Sequence, residues 1–302
     1  MRIAVTGGGG FIGKALCRRL IADGHTLICL RRAPGLFVEG AEVLVGTLQE
    51  SDAISALVKD ADVCVHLASS SGPANSNGDV LADLELNLRG GVALFQKCVE
   101  ASVKRVIFTS SGGTIYGAPD LLPTPETALL RPTTAYSAVK ASLEGYLAVY
   151  KYQFGLQHRI LRLANPFGPS QAAAKAQGVI PIFIDRIRNG EPIEIWGDGS
   201  IVRDFIFIDD VVEAISTCLD DSGDYETYNI GSGIGRTLNE VISAIEKVSG
   251  ISSNVIYKSS RKSDVPINIL DCSLAHAQLG WSAKVNFDQG IERTWRERCR
   301  TR

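Results

Sequence analysis

The chain has 302 residues, 45% of them hydrophobic and 21% charged, with a net charge of −2. It is long and apolar enough to bury a large core in one or two domains. Near-neutrality offers no basic field for nucleic acid and no lysine run for a membrane surface, so a small-molecule partner is expected. The seven cysteines (Cys17, Cys29, Cys64, Cys98, Cys218, Cys272, Cys299) form no C-x-x-C pair and mostly sit in apolar stretches, as reduced thiols of a cytoplasmic protein do. The four histidines (His25, His66, His158, His276) have no metal-ligand spacing. Strand residues from Arg2 leave no room for a signal peptide, and no apolar stretch reaches the roughly 18 residues of a membrane span.

The chain opens with a short apolar run, Arg2 to Thr6, that breaks into glycines and resumes with the helical pattern Phe11, Ile12, Ala15, Leu16, Leu20. A strand turning tightly into a helix gathers unpaired backbone N–H groups and the positive end of the helix dipole at one point, which suits a pyrophosphate. The glycines divide the work: Gly7 for the turn, Gly10 for close approach to phosphate, Gly13 for packing helix on strand. The spacing is G-x-x-G-x-x-G.

Strands are predicted over 2–6, 26–31, 42–45, 62–67, 105–110 and 158–163, alternating with helical stretches. Runs such as Val63 to Leu67 and Arg105 to Thr109 are apolar almost throughout, as in parallel strands covered on both faces. The fold class is therefore α/β, a doubly wound parallel sheet of the Rossmann type. Arg31 and Arg32 close the second strand, where dinucleotide folds usually place a carboxylate for the adenosine ribose; arginine there can pair with a 2′-phosphate, so NADP is expected over NAD.

Tyr136-Ser-Ala-Val-Lys140 begins a helix with apolar residues at Ala138, Ala141, Leu143, Tyr146 and Leu147. Four-residue spacing puts the Lys140 ammonium near the Tyr136 hydroxyl, where it is expected to lower the phenol's value and make it a general base. Thr109-Ser110-Ser111 ends the preceding strand and can supply a substrate-holding hydroxyl. After Asn165-Pro166-Phe167-Gly168-Pro169 the composition shifts. Polar loops are expected at 170–178 and 197–204 around a helix near 179–189, followed by helices near 210–219, capped by Asp209-Asp210, and from about Leu238 to Val248. Residues 1–165 are assigned to a dinucleotide-binding domain, with 205–232 returning to it, and 166–302 mainly to a smaller C-terminal substrate-binding lobe. No internal repeats and no low-complexity segments occur.

The sequence resembles the extended short-chain dehydrogenases/reductases, specifically their sugar-nucleotide epimerase/dehydratase branch. The resemblance rests on Thr6-Gly7-Gly-Gly-Gly10-Phe-Ile-Gly13, His66-Leu67-Ala68, Asn87 with its following Arg-Gly, and Ser110-Ser111-Gly-Gly-Thr-Ile-Tyr116-Gly117. It continues through Tyr136 and Lys140, Arg162-Leu-Ala-Asn165-Pro, Gly197-Asp-Gly-Ser-Ile-Val-Arg203-Asp204-Phe, and Arg261 with Asp264. It implies a tightly held NAD(P) contacted by Gly7, Gly10, Phe11, Ile12, Gly13, Arg31, Arg32, Leu48, Leu67, Ala68, Asn87, Tyr136 and Lys140. It also implies a nucleoside diphosphate sugar, with UDP the expected nucleotide, held by Ser111, Asn165, Val179, Arg203, Arg261 and Asn268. The two arginines match the branch's diphosphate-binding positions.

By the same resemblance, Tyr136 takes the proton from the sugar 4-hydroxyl as hydride leaves C4, and Ser111 is the partner hydroxyl, with Thr114 as the alternative. Gly112-Gly113 stands where 4,6-dehydratases carry an acidic pair, which disfavours dehydration. This leaves a UDP-hexose or UDP-N-acetylhexosamine 4-epimerase or, alternatively, an NADPH-dependent reductase of a nucleotide-linked 4-keto sugar; a non-catalytic dinucleotide sensor is a distant third. Gly46-Thr47-Leu48 departs from the branch's Gly-Asp-Leu, whose Asp reaches the adenine. Asn268 falls at a gatekeeper beside the sugar 2-position, where its intermediate size implies tolerance of N-acetylhexosamines. A homodimer through helices near 80–101 and 135–154 is expected, with no metal.

Overall fold

A computed structural model describes residues 1–33, 37–171, 178–260 and 265–300. In chain order the first half runs β1 (Arg2–Thr6), α1 (Phe11–Ala22), β2 (Thr26–Arg31), β3 (Ala41–Val45), α2 (Ser51–Val58) and β4 (Val63–His66). It continues with α3 (Val80–Asp83), which passes directly through a π-helical turn (Leu84–Arg89) into α4 (Gly90–Glu100), then β5 (Arg105–Ser111), α5 (Ala135–Phe154) and β6 (Gln157–Leu163). The second half contains β7 (Asn165–Phe167), α6 (Val179–Asn189), β8 (Ile193–Trp196), β9 (Val202–Phe207), α7 (Ile208–Thr217), β10 (Thr227–Ile230) and β11 (Gly235–Thr237). It ends with α8 (Leu238–Ser249), β12 (Val255–Lys258), β13 (Ile267–Asn268), α9 (Ser273–Leu279) and α10 (Phe287–Arg300).

Seven strands form one parallel sheet in the order β10-β6-β5-β4-β1-β2-β3. The order reverses beside β1, between β2 and β4, the switch point at which doubly wound sheets open a ligand crevice. Strand residues such as Ile3, Val5, Val65 and Ile107 pack into one core layer while Ala4, Cys64, Val106 and Phe108 pack into the other, so the sheet is covered on both faces. Helix α5 is delimited by local chemistry. Thr134 and Ser137 form a reciprocal capping box at its start, and Gly155, at φ +72, stops it in the left-handed conformation.

A second, small sheet is built on β9, flanked by antiparallel β11 and parallel β13, with β7 also paired to β9. Two local expectations change here. The predicted polar loop 197–204 gives way to strand from Val202, because Phe205, Ile206 and Phe207 are buried and extend the strand backward. Asp209 and Asp210 do not cap α7, which starts at Ile208 without a side-chain cap. Instead the Asp210 carboxylate accepts from the backbone N–H groups of Lys284 and Val285, 3.0 and 3.1 Å away, and Asp209 pairs with Arg293. All seven cysteines are free, five of them buried. Among the described residues no helix is long and apolar enough to cross a membrane, and no cluster of His, Cys, Asp and Glu suits a metal ion.

Candidate active site

The glycine turn forms a cradle that side chains would fill. Gly7 lies at φ +73, and a Cβ there would come within 2.7 Å of the Ala68 nitrogen; a Cβ on Gly13 would come within 2.3 Å of the Gly7 carbonyl oxygen. Helix α1 starts at Phe11 behind Gly10, with no side-chain cap and no acidic residue in its first turn, so its leading N–H groups and dipole face the turn without a competing anion. These features fit a dinucleotide pyrophosphate. Phe11 and Ile12 are half-buried at the helix start, and Leu67 and Ala68 follow β4 beside Gly7. Leu48 packs against Gly90, where a Cβ would lie 2.8 Å from its side chain.

At the end of β2, the Arg31 guanidinium lies 4.9 Å from the Phe37 ring centroid, with its Nε 3.5 Å from where a Gly9 Cβ would be. Arg31 is thus beside the glycine turn, and Arg32 is exposed next to it. Asn87 plays a different part from a free cofactor contact. Its Oδ1 accepts from the Ser70 backbone (2.8 Å) and hydroxyl (3.1 Å), and its Nδ2 donates to Asp83 (2.8 Å) and Ser71 (3.3 Å), so both ends of the amide hold the loop after β4.

Tyr136, Lys140 and the end of β5 converge. Lys140 is buried; its Nζ donates to the Thr109 carbonyl at 2.7 Å and lies 4.6 Å from the Phe108 ring and 5.7 Å from the Tyr136 ring. Ser111 lies close enough to the Tyr136 phenol to favour its anion, and Thr114 Oγ1 donates to Ser111 Oγ at 3.0 Å. Both candidate hydroxyls therefore stand together on the tyrosine side of the end of β5.

The electrostatics differ from the sequence expectation. Burial pushes the Tyr136 phenol up to about 12; Ser111 pulls it down and the Asp83 charge adds to the rise. Burial lowers Lys140 to about 8, against the raising influence of Glu144 and Asp83. In this desolvated corner the burial of both groups outweighs the help that lysine was expected to give the phenolate.

The small sheet brings Asn165, Arg203 and Asn268 beside the end of β5. Register pairs Asn268 with Arg203, and Asn268 Nδ2 donates to the Gly112 carbonyl at 3.1 Å. Asn268 is buried in β13, and its Oδ1 has no hydrogen-bond partner among the described residues. Asn165 donates to the Asp204 carbonyl at 2.9 Å, and a Cβ on Gly113 would lie 3.7 Å from it. Arg203 Nη1 donates to the Val202 and Val265 carbonyls, both at 2.8 Å. Val179 opens α6, and Arg261 and Asp264 lie outside the described residues.

Behind the site, Arg162 Nη2 meets Glu144 at 2.6 Å in a buried ion pair, and Arg162 Nη1 donates to the Tyr116 hydroxyl at 2.8 Å, which donates to Asn229 at 2.7 Å. Sequence reading assigned no role to Asp83, Glu144 or Arg162. The four-residue step from Lys140 to Glu144 was the available signal; no comparable pattern ties Asp83 to the lysine.

A doubly wound sheet, a glycine cradle at its switch point and a half-buried tyrosine with a buried lysine beside the end of β5 define a nicotinamide-dependent enzyme. The chain belongs to the NAD dependent epimerase/dehydratase family, which it matches over residues 3–231. It is similar to a UDP-glucose 4-epimerase of Thermotoga maritima solved with UDP-glucose: 34% identity, TM-score 0.95, covering 100% of this chain and 99% of that one. The Thermus thermophilus UDP-glucose 4-epimerase, solved with NAD, is 32% identical with a TM-score of 0.92 and full coverage of both chains. A dTDP-4-dehydro-6-deoxyglucose reductase of Escherichia coli is 32% identical, covering 96% of this chain and 95% of that protein.

Proposed function

We propose that the protein is a nucleotide-sugar 4-epimerase acting on a UDP-hexose. The observation that carries the reading is the convergence of Ser111, Tyr136 and Lys140 at the end of β5. In this reading Ser111 and the Tyr136 phenol hold the sugar 4-hydroxyl, and Tyr136 accepts its proton. Lys140 orients the nicotinamide ribose, and its charge favours the phenolate. A nicotinamide dinucleotide held by the glycine turn and Lys140 would supply the hydride acceptor and donor for the sugar C4. Tyr136 would hand the proton back to the 4-oxygen as the sugar is restored with inverted configuration, so epimerisation would involve no net oxidation.

Dehydration is disfavoured by residue type, because neither Gly112 nor Gly113 offers an acid. A Cβ on Gly112 would lie 2.6 Å from a Leu270 methyl and 3.0 Å from the Arg162 carbonyl oxygen, so a side chain there requires Leu270 to shift, whereas Gly113 has room. The partnerless Oδ1 of Asn268 supports tolerance of a donor at the sugar 2-position, such as an acetamido N–H. Arg203 and Arg261 are assigned to the diphosphate, where guanidinium forks suit paired oxygens.

The second reading is a reductase that consumes NADPH. Arg31 and Arg32 favour it, because cations at the end of β2 suit a 2′-phosphate; the NAD bound by the Thermus relative points the other way. Exposed Val80, Leu81, Leu84 and Leu86, with Tyr146, Val149, Tyr152 and Phe154 on α5, support a homodimer through these helices.

One experiment separates the readings. The purified protein is denatured and the released nucleotide identified, and fresh protein is incubated with UDP-glucose, UDP-N-acetylglucosamine and, separately, NADPH. Epimeric product without NADPH consumption supports the proposal. NADPH oxidation stoichiometric with a reduced keto sugar establishes the reductase. Turnover of the non-acetylated sugar alone removes the N-acetylhexosamine assignment, and tighter binding of NAD than NADP removes the NADP preference.

A further inference from the structure

The histidine that ends β4 takes no part in the proposed chemistry, yet it touches both halves of the site. His66 is buried, and so is Thr6, the last residue of β1 before the glycine turn. Parallel register pairs the two across the sheet, and Thr6 Oγ1 meets His66 Nδ1 at 2.7 Å. The same Thr6 oxygen accepts from the Ala68 backbone N–H at 3.3 Å. A buried hydroxyl must place its one proton on an acceptor, and the acceptor in reach is His66 Nδ1. The chain therefore runs one way, from the Ala68 N–H to Thr6 and from the Thr6 O–H to Nδ1, with the ring proton on Nε2. Burial, helped by the Lys140 charge, pushes His66 down to about 3, so the ring is neutral and Nδ1 is free to accept.

This chain lies under the dinucleotide cradle. A Cβ on Gly7 would come within 2.7 Å of Ala68 N and 2.8 Å of the Leu67 carbonyl carbon, so the loop after β4 presses directly on the turn. The imidazole is otherwise packed as an aromatic ring. It stacks on Phe108, with centroids 5.5 Å apart and planes at 21°, and meets Phe95 edge-on at 6.0 Å. The Phe108 ring is the one over which the Lys140 ammonium lies, at 4.6 Å. A hydrophobic ring would pack in this space equally well; what the imidazole adds is the acceptor for Thr6.

We propose that His66 is a positioning residue for the dinucleotide: its Nδ1 takes the Thr6 proton, Thr6 holds the Ala68 N–H, and the three together fix the loop after β4 against Gly7. The inference rests on the glycine turn holding the dinucleotide, and it does not depend on which sugar reaction follows.

The test is His66→Phe, which keeps an aromatic ring against Phe108 and Phe95 and removes the acceptor, beside Thr6→Val, which keeps the shape of the threonine and removes its hydroxyl. Each protein is loaded with labelled NAD, and the rate at which the label leaves into excess unlabelled NAD is recorded together with KM for UDP-glucose at saturating NAD. The expected result is release about tenfold faster in either variant, with KM for UDP-glucose unchanged. The double variant releases no faster than the single ones, because both remove the same chain, and Thr6→Ser releases at the wild-type rate. Unchanged release in the variants overturns the proposal and leaves His66 a core residue; should His66→Phe fail to fold, Thr6→Val with Thr6→Ser decides. Release and KM rising together overturn it as well, since that marks a general loosening. If release responds as expected but no UDP-sugar is epimerised, the proposed function falls and the positioning role stands.

Discussion

The seven-stranded sheet and the small sheet on β9 are held together by different means. The large sheet is fixed by apolar layers on both faces, with buried ion pairs along β6, Arg162–Glu144 toward the active-site end and Arg159–Asp221 toward the other. In the small sheet short strands are pinned by polar side chains. Asp204 is fully buried and accepts from the Ser232 backbone (2.8 Å) and hydroxyl (2.6 Å), the Gly233 N–H (3.1 Å) and the Leu270 N–H (3.3 Å). Asn165 donates to the Asp204 carbonyl, and Asn268 ties β13 to Gly112. On the proposed function, the apolar layers give a platform for the cofactor, and the polar pins place Asn165, Arg203 and Asn268 beside its reacting end to hold the substrate.

The contrast can be pushed until it fails. The largest effect expected is chemical and confined to the junction. Tyr136→Phe should cut turnover by about 10²–10⁴-fold while leaving the thermal midpoint unchanged, measured by product chromatography and calorimetry on the same preparation. Next comes the ion pair of the large sheet. Arg162→Met leaves Glu144 buried and uncompensated, and chemical denaturation should register a loss of about 3–5 kcal/mol. In the small sheet, Asp204→Asn keeps the shape but turns acceptors toward donors. We expect a loss of about 2–3 kcal/mol, with substrate KM raised more than cofactor affinity is weakened. Equal losses of cofactor and substrate binding would mean that the two sheets do not divide the work.

The smallest effect is a pH dependence. Folded Lys140 titrates near 8, below its ordinary 10.5, so between these values the unfolded chain binds the proton more strongly than the folded one. Stability contributed at this position therefore rises with pH over that window. The thermal midpoint of the native protein should gain on that of Lys140→Met as pH goes from about 8 to about 10, and a gap that shrinks would contradict the burial of the ammonium.

What could be read from the sequence follows the same division. Strands β1 to β6 are legible because each is a short β-rich run, apolar almost throughout in β4 and β5, and their predicted limits fall within a residue or two of those observed. Helix α6 is legible from its apolar stripe, and the pairing of Tyr136 with Lys140 from helical spacing. Strands β7, β11 and β13 are two or three residues long and too short to carry a period; what fixes them is hydrogen bonding from residues far away in the chain. Asp210 looked like a helix cap because caps and tertiary pins use the same side chain. At Tyr136 and Lys140, helical spacing anticipates two side chains on one face, the ammonium 5.7 Å from the tyrosine ring, but not the burial that pushes the phenol up rather than down.

The central claim is that a single enzyme-held cofactor removes and returns the hydrogen at C4 of a nucleotide sugar beside Tyr136. It is tested most directly by incubating the protein with UDP-glucose carrying deuterium at C4, with no added cofactor, and analysing the product by mass spectrometry and NMR. The account predicts a C4-inverted hexose that retains the deuterium at C4. Product that has exchanged its label, or label that leaves on free dinucleotide in step with turnover, would contradict it.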